Sequence, residues 1–149
     1  MDPKSTPCTI RIATISDAAE IARQLTLLGH PTSAQDIANR WENWTAEGNS
    51  CFVAQKSDGT LAGVITLHKM HVLHRPRPVG RITALVVDDT LRGTGLGRAL
   101  VEAAEKSLAH GGCGLLELTS NARRLPAHAF YEHLEYERTS VRFAKVLLE

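Results

Sequence analysis

The chain has 149 residues, and against a usual domain size of about 100–150 residues that length predicts one domain over residues 1–149. Hydrophobic residues make up 43% and charged residues 22%, the balance of a folding globular chain and not of a disordered or repeat-built one. Lys and Arg number 17 against 16 Asp and Glu, a formal charge of +1, so no broad drive toward nucleic acid or an anionic membrane is expected.

Cys8, Cys51 and Cys113 are an odd, widely spaced set, without the CxxC pairs of a zinc site or the density of a disulfide scaffold; a reducing cytoplasm is the expectation. Residues 1–7 lack the apolar core of a secretion signal, and no run approaches the roughly 18 apolar residues of a membrane span. A soluble, uncleaved protein is expected.

Thr9–Thr14 alternates, with Ile10 and Ile12 on one face and Arg11 on the other, as a half-buried strand does. Ser16-Asp17 supplies a helix start, Glu20 favours the helix dipole, and Ala18, Ile21, Leu25 and Leu28 repeat at helical spacing up to Gly29. A second helix is predicted from Ser33 to about Glu47, with Ile37, Trp41 and Trp44 near one stripe and Gly48-Asn49 closing it. Ser50–Lys56 and Leu61–Met70 read as strands, and Asp58-Gly59 between them is a hairpin signal, so they should pair antiparallel. His71–Pro78 reads as a loop. Gly80–Asp88 resumes as a strand, apolar on both faces at Ala84-Leu85-Val86-Val87 and therefore central. Leu96, Leu100, Ala103, Ala104 and Leu108 mark a helix ending at Gly111-Gly112. Leu115–Ser120 is predicted as another buried strand, Ala127–His133 as a short helix, and Ser140–Leu148 as a last strand.

The segment Asp88-Asp89-Thr90-Leu91-Arg92-Gly93-Thr94-Gly95-Leu96-Gly97-Arg98 joins the central strand to its helix. Three alternate glycines at a helix N-terminus let backbone approach a ligand and aim unpaired N–H groups outward, where the dipole favours an anion. The spacing is neither that of a Walker A loop nor that of the Rossmann fingerprint. Glycines that merely shape a tight strand-to-helix turn are the competing explanation.

Arg92-Gly93-Thr94-Gly95-Leu96-Gly97 after Leu85-Val86-Val87-Asp88 resembles the acetyl-CoA signature of the GNAT superfamily of acetyltransferases, and the order of elements agrees over nearly the whole chain. The resemblance implies the GNAT acyl-CoA N-acyltransferase fold: an α/β (α+β) domain with a mixed, mostly antiparallel central sheet, helices on both faces and a splayed pair of parallel strands. It further implies acetyl-CoA as cosubstrate, with its pyrophosphate on the amides of Arg92, Gly93, Thr94, Gly95, Leu96, Gly97 and Arg98 and its pantetheine arm on the backbone of Leu85, Val86 and Val87. Family members often carry an Asn after the fifth strand and a Phe-Tyr in the next helix, which places Asn121 at the coenzyme and makes Tyr131 the candidate general acid. A phenol of pKa about 10 is protonated at neutral pH and can donate to a leaving thiolate.

An acceptor amine of pKa about 10.4 is neutral in only about one molecule in 10³ at pH 7, a penalty of about 4–5 kcal/mol that a base or a desolvating site must offset. Many relatives carry a glutamate on the central strand; here Arg81, Thr83 and Ala84 stand in that region. His68, His71, His74, Glu117 and His128 remain as candidate proton acceptors. Residues 68, 71 and 74 are spaced by three, so the three histidines cannot all face one side of a strand, and a metal site built from them is not expected. Cys113 has no base placed beside it, so direct attack is expected over a covalent thiol route.

Within the superfamily, Leu67-His68 through Leu73-His74, Gly80, Leu85-Val86-Val87, Leu118-Thr119-Ser120-Asn121, Ala127-His128, Phe130-Tyr131 and Arg142-Phe143 resemble the aminoalkylphosphonate N-acetyltransferases. A phosphonate acceptor needs fixed cations, for which Lys69, Arg75, Arg77, Arg123 and Arg124 are candidates. Those relatives can involve a divalent metal, which these residues do not establish. Glu135 stands where the family commonly has glycine. The expected partner is a small primary amine, with no nucleic acid and no membrane, and the resemblance implies a homodimer. Three other readings stay open: acetylation of another amine such as an aminoglycoside or polyamine, a non-catalytic acyl-CoA sensor favoured by the missing glutamate, and an interaction domain anchored on Trp41 and Trp44.

Overall fold

The computed structural model describes residues 8–120 and 122–148. In chain order the elements are β1 (Cys8–Ile12), α1 (Ala18–Leu27), α2 (Ala34–Ala46), β2 (Asn49–Lys56), β3 (Leu61–Met70), β4 (Val79–Val87), α3 (Leu96–His110), β5 (Leu115–Leu118) and α4 (Leu125–His133), with 3-10 turns at Ile15–Asp17 and Asp89–Leu91. The chain divides into two compact units, one up to Glu117 and one from Leu118 onward.

In the first unit the strands lie in the order β1-β2-β3-β4-β5. The first four pair antiparallel, with Ile10 opposite Ala54, Phe52 opposite Ile65 and Val64 opposite Val86, and β5 runs parallel to β4. The β2–β3 turn forms because Gly59 takes φ +91° while Asp58 accepts from both the N–H and the hydroxyl of Thr60. Alternation then sorts the side chains. Val53, Val64 and Val86 face one way, in a core with Ile21, against which Trp41 and Trp44 pack. Gly63 faces the other way, where a Cβ would lie 2.9 Å from Leu100 Cδ1, and one at Gly80 would lie 2.6 Å from Leu108 Cδ1. Helices therefore cover both faces: α1 and α2 one, α3 the other.

The α2 start is capped by side chains, but Ser16-Asp17 does not cap α1 as expected, because the Asp17 carboxylate is bonded to Arg11 and to the Thr14 N–H instead. Ser33 Oγ accepts from the Asp36 N–H at 3.0 Å and Asp36 accepts from the Ser33 N–H at 2.9 Å, a reciprocal cap on α2. At the other entry, Arg11 on β1 donates to both carboxylate oxygens of Asp17 at 2.9 and 2.8 Å, and the Thr14 N–H adds a third bond at 2.8 Å. The Arg11 hydrogen bonds, against an opposing push from burial, hold the Asp17 carboxyl below its usual range. A depressed folded-state pKa lends stability that is present above about pH 4 and lost as pH falls through the folded value. Arg11→Leu should therefore shrink the difference between urea midpoints at pH 7 and pH 3; an undiminished difference contradicts this.

Four expectations need correction. Ile12 is 60% exposed, because β1 is an edge strand whose end has no cover. The fifth strand is shorter than expected, stopping at Leu118, and is only partly buried, again as a strand at the end of the sheet order. Trp41 and Trp44 are half-buried with ring centroids 5.5 Å apart, so they serve the core and are not an exposed anchor. The last strand is absent: residues 140–148 are in no strand, since none of their backbone groups finds a ladder partner among the described residues.

In the second unit, α4 carries Pro126 in its first turn. It ends in a Schellman arrangement: the Tyr136 N–H donates to the Tyr131 carbonyl and the Glu135 N–H to the Glu132 carbonyl, both at 3.0 Å. Glu135 sits in the left-handed position at φ +71°, where glycine is at ease and a side chain costs roughly 1–2 kcal/mol. Glu135→Gly should stabilise the chain by about 0.5–1 kcal/mol after the entropy of a freer unfolded chain is subtracted; a lowered thermal midpoint contradicts that reading.

Candidate active site

The glycine loop is held from behind by a partly buried polar cluster. Asp88, the residue after β4, donates its N–H to the Ala62 carbonyl at 2.8 Å. Its carboxylate takes Lys56 Nζ at 3.1 Å and Gln24 Nε2 at 3.2 Å. Gln24 is fully buried on α1 and donates also to the Leu61 carbonyl at 2.9 Å. One amide thus ties α1, β3 and the loop entrance together. Gln24→Leu removes one of two donors from the Leu61 carbonyl, which keeps Arg23, and from the Asp88 carboxylate, which keeps Lys56, and should lower unfolding free energy by about 1 kcal/mol; an unchanged denaturant midpoint would remove that role.

Past the Asp89–Leu91 turn, Thr94 Oγ1 donates to the Leu91 carbonyl at 2.6 Å, and Gly93 and Gly95 take φ +80° and +88°. Gly95 is the N-cap of α3 and offers no capping side chain. The N–H groups of Gly93, Gly95, Leu96, Gly97 and Arg98 have no acceptor among the described residues. Added Cβ atoms at Gly93 and Gly95 would meet nothing within 4 Å, so the space before these donors is open. The arrangement is a nest of unpaired donors on the positive end of a 15-residue helix, suited to an anion. Arg92 and Arg98 at its rim pair with Asp89 at 2.8 Å and Glu102 at 3.0 Å. A shallow pocket of about 180 Å³ beside the loop is lined by Cys8, Ile10, Leu91, Thr94, Gly95, Leu96 and Ala99; it is too small to enclose a nucleotide.

The two parallel strands differ in length on the way to this loop. The Gly114 N–H donates to the Pro78 carbonyl at 3.0 Å, which ties their starts together, but β4 has 9 residues and β5 has 4. Thr83–Val87, the remaining 9 − 4 = 5 residues of β4, therefore run on past the end of β5. Leu85, Val86 and Val87 thus present one backbone edge with no strand beside it in the first unit.

Farther back on the sheet face that carries α1 and α2 is a row of polar side chains. A bulge between Thr66 and Leu67 keeps both threonines on this face, where Thr66 Oγ1 and Thr83 Oγ1 are 2.7 Å apart. His68 lies opposite Arg81, and Arg81 NH1 lies 3.8 Å from Glu117 Oε1. His68 Nδ1 is buried without a hydrogen-bond partner among the described residues, so the row holds an unspent proton acceptor or donor. Of the predicted acceptor-site residues, His68 and Glu117 are thus brought together, with Arg81, Thr66 and Thr83 added. In the sequence Arg81 stands out only as a position where many relatives carry a glutamate; the bulge that sets it opposite His68 leaves no signal in either strand. His71, His74, Arg75 and Arg77 are exposed in the loop after β3. Lys69 points to the other face, where its Nζ donates to the Gly111 carbonyl at 2.6 Å, so it does not serve this row. Among the described residues no group of three or more His, Cys, Asp or Glu could hold a metal ion.

In the second unit, His128 and Tyr131 are three residues apart on α4 and hence neighbours on its surface. The Tyr131 ring meets Phe130 and Tyr136 edge-on, with centroids 5.1 and 5.9 Å apart. Burial pushes its hydroxyl above the usual phenol range, against a smaller opposing pull from Arg124, so it keeps its proton throughout the neutral range. Asn121 lies outside the described residues. The cysteines are unpaired. Burial pushes the Cys51 thiol up to about 12 and raises that of Cys8, so neither is a thiolate near neutrality.

The model of the acetyltransferase (GNAT) family matches residues 15–136. An aminoalkylphosphonate N-acetyltransferase of Salmonella typhimurium is 30% identical over 141 residues, covering 94% of this chain and 92% of that protein. An aminoglycoside N(6')-acetyltransferase of Stenotrophomonas maltophilia is 29% identical, covering 88% and 87%. Among solved structures, an acetyltransferase of Trypanosoma brucei superposes with a TM-score of 0.82 at 28% identity, over 95% of this chain and 100% of that one. The element order, the glycine loop and these matches agree: the chain belongs to the acetyltransferase (GNAT) family.

Proposed function

We propose that this chain transfers the acetyl group of acetyl-CoA to a small primary amine by direct attack, as a single domain acting in the cytoplasm. The five unpaired N–H groups from Gly93 to Arg98 carry the reading: they fit a diphosphate and have no structural bond to make. Acetyl-CoA, when bound, supplies an acetyl group activated as a thioester. The free amides of Gly93, Gly95, Leu96, Gly97 and Arg98 hold its diphosphate, while those of Arg92 and Thr94, expected to join them, are bonded to the Asp89 and Leu91 carbonyls; the free backbone edge of Leu85, Val86 and Val87 takes the amides of the pantetheine arm, and Asn121, by the family resemblance, adds a further contact. The family match runs through both compact units, which supports one domain, and three free thiols fit a reducing compartment.

Tyr131 is the proton donor to the departing thiolate. That role rests on its match to the family's helix tyrosine and on a hydroxyl that burial keeps protonated. The acceptor amine must lose a proton, and the row of His68, Arg81 and Glu117 supplies the means. His68 has a buried nitrogen and lies opposite Arg81 in this row, so it is the first choice as base, ahead of Glu117, which faces Arg81, and of His128 on α4, whose Nδ1 is also buried.

The acceptor we favour is an aminoalkylphosphonate. The 30% identical relative of that name supports it, as does a fixed guanidinium, Arg81, beside the candidate base. The test is thiol release from acetyl-CoA with aminoalkylphosphonates, aminoglycosides, polyamines and amino acids offered separately. Turnover with an aminoalkylphosphonate at a kcat/KM at least tenfold above the other amines is expected. A preference for an aminoglycoside or polyamine overturns the acceptor alone. Binding of acetyl-CoA without turnover on any amine overturns catalysis and leaves a sensor.

A further inference from the structure

The row of His68, Arg81 and Glu117 carries more charge than a proton acceptor needs. Its members stand on β3, β4 and β5, consecutive strands of the sheet, so Arg81 lies between the candidate base and a carboxylate. All of them belong to the first compact unit, which ends at Glu117. One guanidinium nitrogen of Arg81 is 3.8 Å from Glu117 Oε1, whereas the other ion pairs among the described residues close to between 2.6 and 3.1 Å. At that separation the charges attract without forming a hydrogen bond. Opposite charges held side by side but not closed on each other present a dipole to an incoming molecule.

Neutral donors adjoin the cation. Thr83 follows Arg81 on β4 and shares a face with Thr66, and the two threonine hydroxyls are 2.7 Å apart. Each hydroxyl carries one hydrogen. One of these bridges the pair, and the other has no acceptor among the described residues. An anionic group with two oxygens on the guanidinium fork and a third beyond it can use that hydrogen; a carboxylate has both its oxygens on the fork.

We infer that Arg81 and Glu117 form a receptor for a short zwitterion, in which Arg81 takes the anionic end of the acceptor and Glu117 its ammonium, so that Glu117 is a specificity residue and not the base. The inference rests on the proposed acetyl transfer to an amine and defines that amine further. Joined through one carbon, the nitrogen and the nearest oxygen of a zwitterion stand about 3–4 Å apart, from bonds of about 1.5 Å, which matches the gap between Arg81 and Glu117. A second carbon fits when the chain folds back; a long spacer or a polyamine does not satisfy both charges. Because Glu117 reaches over to Arg81, the residue opposite His68, an ammonium on Glu117 is delivered to the row that holds the base. The remaining hydroxyl hydrogen favours a tetrahedral phosphonate at the anionic end. Little is lost on binding, since one loose contact gives way to two charge-assisted hydrogen bonds.

The test needs neither turnover nor coenzyme. Aminomethylphosphonate, ethylphosphonate, which has a methyl group in place of the ammonium, and 4-aminobutylphosphonate are titrated into the ¹⁵N-labelled full chain and its Arg81→Gln and Glu117→Gln variants, with dissociation constants read from amide shifts. Wild type is expected to bind aminomethylphosphonate about tenfold more tightly than either other probe, the margin of one charge-assisted hydrogen bond. Arg81→Gln should weaken all three. Glu117→Gln should weaken aminomethylphosphonate about tenfold yet tighten ethylphosphonate, for which Glu117 is only a competitor at Arg81; a merely structural role would move both in one direction. Equal affinity of wild type for aminomethylphosphonate and ethylphosphonate, or a loss of both in Glu117→Gln, overturns the inference. The wild-type comparison decides even if a variant does not fold. Thiol release with the same amines separates the two readings. The expected binding pattern without acetylation of any amine overturns the proposed transfer and leaves the receptor. Acetylation of polyamines as fast as of aminomethylphosphonate overturns the receptor and leaves the transfer.

Discussion

Gly95→Val is expected to weaken acetyl-CoA binding by about a hundredfold or more while leaving the fold in place. Gly95 has φ +88°, a conformation that costs an L side chain roughly 1–2 kcal/mol and a β-branched one more. Nothing lies within 4 Å of a Cβ built there, so the damage is not a clash. To escape the strain the loop must turn its peptide units, and the donors at Gly93, Gly95 and Leu96 lose their common aim. A hydrogen bond to a charged group is worth about 1.5–3 kcal/mol, so losing two accounts for a factor of about 10² or more. Strain of that size should lower the thermal midpoint by only about 2–8 °C, so the variant remains folded at 25 °C. Gly63→Ala is the contrast. Its Cβ would meet Leu100 Cδ1 at 2.9 Å and the Val86 carbonyl at 3.1 Å, so it should damage folding. Calorimetric dissociation constants for wild type and Gly95→Val that agree within a factor of three would contradict the anion nest.

Tyr131→Phe is expected to lower kcat about a hundredfold with KM for acetyl-CoA unchanged. General acids contribute about 10²–10⁴ in rate, and an interaction made only in the transition state leaves ground-state affinity alone. The substitution keeps the ring that meets Phe130 and Tyr136, so α4 should survive it. The raised phenol pKa adds a second readout. Wild-type kcat should fall on the alkaline side only above about pH 10, the ordinary phenol range, and that limb should vanish in the variant. Equal turnover in the two proteins would remove the role.

Local chemistry was legible wherever one short stretch decides the outcome. Asp58-Gly59 made its turn because only a left-handed residue closes that hairpin, and Gly93-Thr94-Gly95 opened its donors for the same reason. What depends on register was not legible. The row of Thr66, Thr83, His68 and Arg81 exists because a bulge resets which residues share a face, and no periodicity in either strand alone reveals it. Lys69 was assigned to the acceptor site for want of the same information; one position along β3 puts it on the opposite face. Gln24 could have been read, since it follows Ile21 by three residues inside the apolar stripe of α1, where a polar side chain demands a buried partner. Residues 140–148 show a different limit. Their alternation is real, but a pattern states that a strand needs a partner without supplying one.

The proposed chemistry requires the loop from Arg92 to Arg98 to grip the diphosphate of coenzyme A, and amide chemical shifts of ¹⁵N-labelled protein titrated with coenzyme A test this most directly. Saturable downfield shifts of the Gly93, Gly95, Leu96, Gly97 and Arg98 amide protons, largest at the start of α3 and reproduced by 3′-phosphoadenosine 5′-diphosphate alone, are expected. Saturable binding that leaves these five resonances unmoved, or no binding, would contradict it.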